Sequence, residues 1–152
     1  MKHLIPEKII EQKIYMIRGH KIMLSIDLAK LYQVEPRALV QAVKRNMNRF
    51  PGDFMFQLNG HEFKILKSQF VISRWGGLRR AAPYAFTEQG VAMLSSVLKS
   101  DRAISVNIQI IRTFMKLRDM IRRNKDLEQR LDAIRKVLTV EEDPSSHIGF
   151  RT

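Results

Sequence analysis

Pro36 stands between two short stretches that both have the apolar spacing of an α-helix. Proline disfavours helical geometry in the residue before it, but it suits the first turn of a new helix. The first stretch begins at Ser25, a predicted N-cap. The second is predicted to run over residues 36–50. A tight turn between two such helices predicts a helix-turn-helix unit around this proline.

The predicted second helix has two distinct faces. Its apolar face contains Leu39, Val40, Val43 and Met47. Its other face consists of long polar side chains at spacings that place them on one side of a helix, namely Arg37, Gln41, Lys44, Arg45 and Asn48. Such side chains pair with base edges or bind phosphates, and residues 36–50 contain no acidic residue. We interpret this face as a surface for double-stranded DNA, with Gln41 and Arg45 at base edges. The alternative is an ordinary solvated face.

The net charge favours an anionic partner. The 152 residues include 27 Lys and Arg against 15 Asp and Glu, which gives a formal charge of +12. The excess is uneven, because residues 1–100 have 16 basic and 7 acidic side chains (+9), whereas residues 101–152 have 11 and 8 (+3). Nucleic acid or an acidic membrane surface would complement this charge.

Composition and hydropathy point to the cytoplasm. Cysteine is absent, which excludes a disulfide scaffold and a zinc finger. No apolar run approaches the roughly 20 residues of a membrane span. Charges occur throughout the first 13 residues, unlike a signal peptide. We therefore expect a cytoplasmic protein without a membrane segment.

Local signals predict short strands and helices around the helix pair. Residues 14–19 and 21–24 form a predicted hairpin with His20 in the turn. The turn signal at residues 51–53 precedes a predicted strand over residues 54–58. Asn59 and Glu62 resemble a capping box, which would open a helix with inward Phe63, Leu66 and Phe70. A further helix is predicted after Thr87, its N-cap, with core candidates Val91, Met93, Leu94, Val97 and Leu98.

Residues 71–86 contain a second basic motif. Gly76 and Gly77 fit a hairpin turn, and arginines flank them at Arg74, Arg79 and Arg80. Arginines on a hairpin beside a helix-turn-helix would contact the DNA backbone or a narrow minor groove, as a wing. The alternative is a basic surface loop with Trp75 folded into the core.

One long helix is predicted from an N-cap at Ser100 to about residue 139, because nothing in this range interrupts a helix. Its first half has an apolar face expected to pack on the preceding domain, comprising Ile104, Ile108, Ile111, Phe114 and Met115. Its second half has a heptad seam, comprising Leu117, Met120, Asn124, Leu127, Leu131, Ile134 and Leu138. A single Asn at an a position fixes register in parallel dimers, so we expect a coiled-coil homodimer. The alternative is a helix that packs back on its own domain.

These predictions combine into an α+β fold with three parts. Residues 1–100 would form a small helix-turn-helix-containing domain with short strands and a basic hairpin wing. Residues 101–139 would form the long helix, and residues 140–152 a disordered tail.

Two sequence runs resemble a known family. NRFPGDFMFQL and PYAFTEQGVAMLSSVL, within a match over roughly residues 10–118, are similar to the phage-associated ORF-six-N (ORF6N) domain. That family groups with the KilA-N and Bro-N domains of phages and large DNA viruses. The resemblance implies a small α+β DNA-binding domain from a prophage or mobile element, often regulatory or antirepressor-like. It implies no defined catalytic or base-reading set.

The sequence also bears on functions other than DNA binding. The histidines are scattered without zinc spacing, the acidic residues of the domain are isolated, and no phosphate-binding loop is present. We therefore expect no enzymatic activity, no cofactor and no metal. The main alternative is an antirepressor or other protein-interaction module, which would bind a repressor or another regulatory protein. RNA and membrane surfaces are weaker candidates, because the aromatic residues look buried and the long helix mixes acids with bases.

Overall fold

The computed structural model describes residues 5–69 and 82–140, with side chains described for residues 5–68 and 82–135. In these ranges the chain is mixed α and β, as predicted. The elements in order are α1 (Glu7–Gln12), β1 (Ile14–Ile17), β2 (His20–Leu24), α2 (Ser25–Tyr32), α3 (Pro36–Lys44), a 3-10 turn (Met47–Arg49), β3 (Met55–Gln57), α4 (Gly60–Gln69), β4 (Tyr84–Phe86), α5 (Glu88–Val97) and α6 (Asp101–Val140). Residues 71–81 of the predicted wing, with Arg74, Arg79 and Arg80, lie outside the described residues, as do Phe70 and residues 141–152 of the predicted tail.

The four strands form an antiparallel sheet in the order β1-β2-β4-β3. The predicted hairpin is confirmed, but His20 is not in its turn: it pairs with Ile17 at the start of β2. The two turn residues are Arg18 and Gly19, with φ of 54° and 77°. Positive φ at both central residues matches the twist of the flanking strands in a two-residue hairpin, so the loop needs no third residue.

The centre of the sheet is buried on both faces. Along β2, Met23 joins one core cluster, whereas Ile22 and Leu24 join the other, as the alternation of side chains in a strand requires. The larger cluster contains buried residues of α2, α3, α5 and α6, and the smaller contains Phe63 and Leu66 of α4. The α2–α3 pair therefore packs on the face of the sheet that contains Met23, and α4 packs on the opposite face.

Helix starts follow the capping signals of the sequence. Glu62 N donates to Asn59 Oδ1 at 2.7 Å, and Asn59 N donates to Glu62 Oε1 at 2.9 Å, which confirms the capping box. At α5, Thr87 Oγ1 accepts from Gly90 N, and Val91 and Leu94 are buried while Met93, Val97 and Leu98 are partly buried. At α6, Ala103 N donates to Ser100 Oγ at 3.1 Å. Each predicted cap is confirmed at these three helices.

The buried face of α6 differs from the predicted one. Phe114 is buried and Ile111 is half-buried, but Ile104, Ile108 and Met115 are 44%, 38% and 47% exposed. The buried side chains of this stretch are Ala103, Val106, Asn107, Gln109, Ile110, Thr113 and Phe114. The prediction failed because it counted only apolar residues, whereas buried polar side chains that are hydrogen-bonded fit a core equally well.

The chain forms two compact units, one ending at Phe114 and the other beginning at Met115, and α6 contributes to both. The first unit contains the sheet, the shorter helices and the start of α6. The second unit contains the rest of α6, where the predicted seam lies.

Candidate nucleic-acid interface

A three-residue turn joins α2 to α3. Gln33, after the last residue of α2, has a left-handed backbone (φ 60°, ψ 45°), which reverses the chain direction sharply. Val34 N then donates to Ala29 O at 2.9 Å, and the Val34 side chain packs against the core. Pro36 is the first residue of α3. The predicted helix pair is therefore present, with the break at the predicted place.

Ser25 does not cap α2. It is the first residue of the helix, after the extended Leu24, and its side-chain oxygen accepts a hydrogen bond from Tyr84 N at 3.2 Å. Because β2 runs directly into α2, no free loop residue precedes the helix to supply a cap. Ser25 instead links the start of α2 to β4.

The helix α3 is shorter than predicted and ends at Lys44 rather than Phe50. Asn46 Nδ2 donates to Ala42 O at 2.8 Å, a side-chain bond of the kind that competes with continued helix. The 3-10 turn that follows leaves Met47 50% exposed. Of the predicted apolar face, Leu39 and Val43 are buried and Val40 is half-buried.

All five predicted DNA-contacting residues of this region are exposed, but they do not form one helical stripe. Arg37, Gln41 and Lys44 lie on α3, whereas Arg45 is its C-cap and Asn48 lies in the 3-10 turn. The first three line a common open groove of about 900 Å³. The structure therefore brings Arg37, Gln41 and Lys44 together and places Arg45 and Asn48 outside the groove lining.

The opposite wall of this groove comes from distant parts of the chain. It is formed by the start of α2, the end of β3 and the residues leading into β4, comprising Ser25, Ile26, Gln57, Ala82, Pro83 and Tyr84. Glu35, Pro36, Ala38 and Val40 complete the lining. Sequence reasoning missed these residues because only the sheet order, which is non-sequential, places β3 and β4 beside α2. The available signals were Gln57 in the run NRFPGDFMFQL and Pro83-Tyr84 in the run PYAFTEQGVAMLSSVL.

Two basic side chains near the site have structural partners. Arg49 Nη1 donates to Ser96 Oγ at 3.0 Å and so tethers the 3-10 turn to α5. Arg18 forms a double contact with Glu62, with Nε to Oε2 at 2.7 Å, and its guanidinium lies 4.3 Å from the centre of the Phe56 ring. The hydrogen bond from Arg18 lowers the pKa of Glu62. Both arginines are therefore engaged in contacts within the chain.

Asp27 is a buried carboxylate in the first turn of α2. It is 5% exposed, its Oδ1 lies 3.8 Å from Lys13 Nζ, and its Oδ2 has no hydrogen-bond partner among the described residues. Burial raises the pKa of Asp27 to about 6, against the opposing effect of Lys13 and Lys30. No cluster of three or more potential metal ligands occurs in the part of the chain that the structure describes.

The predicted dimer seam is a line of largely exposed side chains on α6. Met120, Leu127, Leu131 and Ile134 are large apolar residues exposed to solvent, Asn124 is exposed, and Leu117 is half-buried. The side chain of Leu138 lies outside the described ones. Within residues 5–69 and 82–140 we find no helix with the length and apolarity needed to cross a membrane.

Comparison with known proteins identifies the family. A family model described as the ORF6N domain matches residues 12–97, which include the whole sheet, the α2–α3 pair and the groove. Neither the curated proteins nor the solved structures gave a match. The match covers more than half of the 152 residues, and the expected resemblance is confirmed. The chain belongs to the phage-type ORF6N domain family.

Proposed function

We propose that this protein binds double-stranded DNA and acts as a dimeric transcriptional regulator of prophage or mobile-element type. The observation that supports this best is the exposed grouping of Arg37, Gln41 and Lys44 along α3, on the wall of an open groove. Residues 36–50 contain no acidic residue, and Glu35 is the one acidic side chain among the described residues that line this groove. The proposed role is binding, without catalysis.

In this proposal α3 enters the major groove of DNA. Gln41 and Arg45 reach base edges, where an amide recognises adenine and a guanidinium recognises guanine. Arg37, Lys44 and Asn48 bind phosphates and fix the orientation of the helix. Arg74, Arg79 and Arg80 contact the backbone or the minor groove.

The packing of α3 suits a reading helix, which must hold its side chains in a fixed frame. Leu39 and Val43 are at most 2% exposed and join the larger core cluster. Arg102 of α6 donates to Leu31 O at 3.1 Å, near the end of α2. Because the helix pair is anchored from several elements, little conformational entropy is lost when it binds.

The seam on α6 supplies the proposed dimer contact. Its exposed apolar residues follow the three-and-four spacing of a coiled coil, and Asn124 at an a position would set a parallel, two-stranded register. Two DNA-binding units joined this way would read two half-sites at a fixed spacing.

The experiment that tests the proposed function is selection of duplexes from a randomised pool, with wild type and the double variant Gln41→Ala/Arg45→Ala. We expect wild type to select a motif and the variant to lose it. The matched control is Gln89→Ala/Arg112→Ala, because both residues are exposed and lie on α5 and α6 rather than on α3. A motif that survives in the first variant would contradict base reading by these residues.

An antirepressor or other protein-interaction module is the second candidate. Ile104 and Ile108 favour it, since both are exposed apolar side chains on one face of α6. Binding of the pool without any motif, equally strong in wild type and the α3 variant, would favour this candidate, because it would reduce the basic surface to general electrostatics.

A further inference from the structure

The groove beside α3 has an apolar strip among its polar side chains. Ala38 is exposed and Val40 is half-buried, and both line the groove together with Arg37, Gln41 and Lys44. Ile26 of α2 lines it as well. These three lining residues, Ile26, Ala38 and Val40, are called the apolar strip, and Ala38 is the one that lies three residues from Gln41 on α3.

If the groove bound only phosphates, the apolar strip would not contribute to binding. Lys and Arg bind phosphates through charge and hydrogen bonds, and apolar groups beside a phosphate gain nothing from it. A base pair offers something different. In the major groove only thymine presents a methyl group, and alanine-sized apolar side chains contact it.

One A·T pair would offer a contact both to the Gln41 amide and to the apolar strip. Adenine presents N7 and N6 to a glutamine amide, while its thymine partner presents the 5-methyl group at the same level of the groove. Ala38 and Gln41 are three residues apart on α3, so they are neighbours on the helix surface.

We propose that the apolar strip receives thymine 5-methyl groups, so that the DNA read by α3 contains A·T pairs recognised by Gln41 together with Ala38 and Val40. This inference rests on the proposed function and names the bases that the same surface selects. Burial of one methyl group changes affinity about fourfold, which corresponds to about 0.8 kcal/mol.

The test replaces thymine by uracil, which removes the methyl group and leaves every hydrogen-bonding atom in place. The probe is the duplex that wild type selects from the random pool, with each thymine replaced in turn. We expect at least one position where uracil weakens binding about three- to fivefold. Because each protein is compared on two duplexes, a change in its overall affinity cancels from the ratio.

The variants Ala38→Ser and Val40→Thr replace apolar contacts by polar ones of similar size. In at least one of these variants, we expect the ratio of the affinity for the thymine duplex to the affinity for the uracil duplex at that position to fall to about one. The matched controls are Ala92→Ser, an exposed helical alanine of α5, and Val97→Thr, a partly buried valine of α5. These controls should keep the wild-type ratio.

The outcomes separate this inference from the proposed function. Two results would overturn the thymine assignment alone. One is a selected motif in which the affinities for the thymine and uracil duplexes are equal at every position. The other is a ratio of these affinities that is unchanged in both α3 variants. A pool that yields no motif would overturn sequence-specific reading, and the thymine assignment with it.

Discussion

The Tyr32 hydroxyl on α2 donates a buried hydrogen bond to Asn107 Oδ1 on α6, 75 residues farther along the chain. Asn107 Nδ2 in turn donates to Val91 O of α5 at 2.8 Å. This pair of bonds joins three helices through one side chain, and burial raises the pKa of the Tyr32 hydroxyl, which keeps it protonated as a donor. The helix that precedes the proposed reading helix is thus fixed to the core by a polar contact.

Replacing Tyr32 by Phe should destabilise the domain. The change removes the donor and leaves Asn107 Oδ1 buried without that partner, at a cost of about 1–3 kcal/mol. Denaturant unfolding measures the change in free energy of unfolding. Tyr84→Phe is the matched control, because Tyr84 is only half-buried and a lost hydroxyl there should cost less. Equal losses in the two variants would argue against a special role for the Tyr32–Asn107 bond.

Gly90 should not tolerate a side chain. A Cβ at this position would lie 2.0 Å from Phe54 O, a backbone atom, so the turn before β3 or the start of α5 would have to move. We expect Gly90→Ala to lower the free energy of unfolding by about 1–3 kcal/mol or more. A Cβ at Gly60, the first residue of α4, meets no atom within 4 Å, so Gly60→Ala serves as the control. A Gly90→Ala protein as stable as wild type would show that the approach of α5 to Phe54 is looser than described.

Stability should depend on pH through Asp27. Its pKa is raised from 3.8 to about 6, so the folded state binds the proton more tightly than the unfolded state. Stability should therefore fall as pH rises from about 4 to about 6, by about 3 kcal/mol at about 1.4 kcal/mol per pH unit. Asp27→Asn should remove this fall and be more stable than wild type at pH 7.

The measurement for Asp27 is the free energy of unfolding across pH 4 to 7 for wild type, Asp27→Asn and Asp53→Asn. Asp53 is exposed, so its variant should keep the wild-type pH dependence. A profile that is the same for wild type and Asp27→Asn would rule out Asp27 as its source.

The α6 seam should determine the oligomeric state. Leu131→Asp places a charge at an a position of the proposed coiled coil, and we expect a monomer in a solution mass measurement. Gln129→Asp adds the same charge at an exposed position off the seam and should leave the dimer intact. If Leu131→Asp is still a dimer, the dimer contact does not lie on the α6 seam.

Local sequence signals predicted much of the fold. The hairpin, the capping box at Asn59, the caps at Thr87 and Ser100, and the break at Pro36 each depend on a few neighbouring residues, so they are readable without tertiary structure. They also place the exposed residues Arg37, Gln41 and Lys44 correctly on α3.

Features that depend on distant contacts were not predictable. Asn107 and Gln109 are buried and donate hydrogen bonds to Val91 O and Ile5 O, whereas Ile104 and Ile108 are exposed despite being apolar. Hydrophobic periodicity cannot distinguish these cases, so it placed Ile111 and Phe114 correctly on the packed face of α6 but wrongly added Ile104, Ile108 and Met115. The groove wall beside α3 was missed for the same reason, since β3 and β4 reach it through sheet pairing.

Contact between α3 and DNA is tested most directly by the salt dependence of binding. Lys44→Ala removes one phosphate contact, so the slope of log affinity against log salt should fall by about one in magnitude on any duplex. Lys64→Ala, an exposed lysine of α4, should keep the wild-type slope. Equal slopes in wild type and Lys44→Ala, with binding intact, would mean that DNA does not lie against α3.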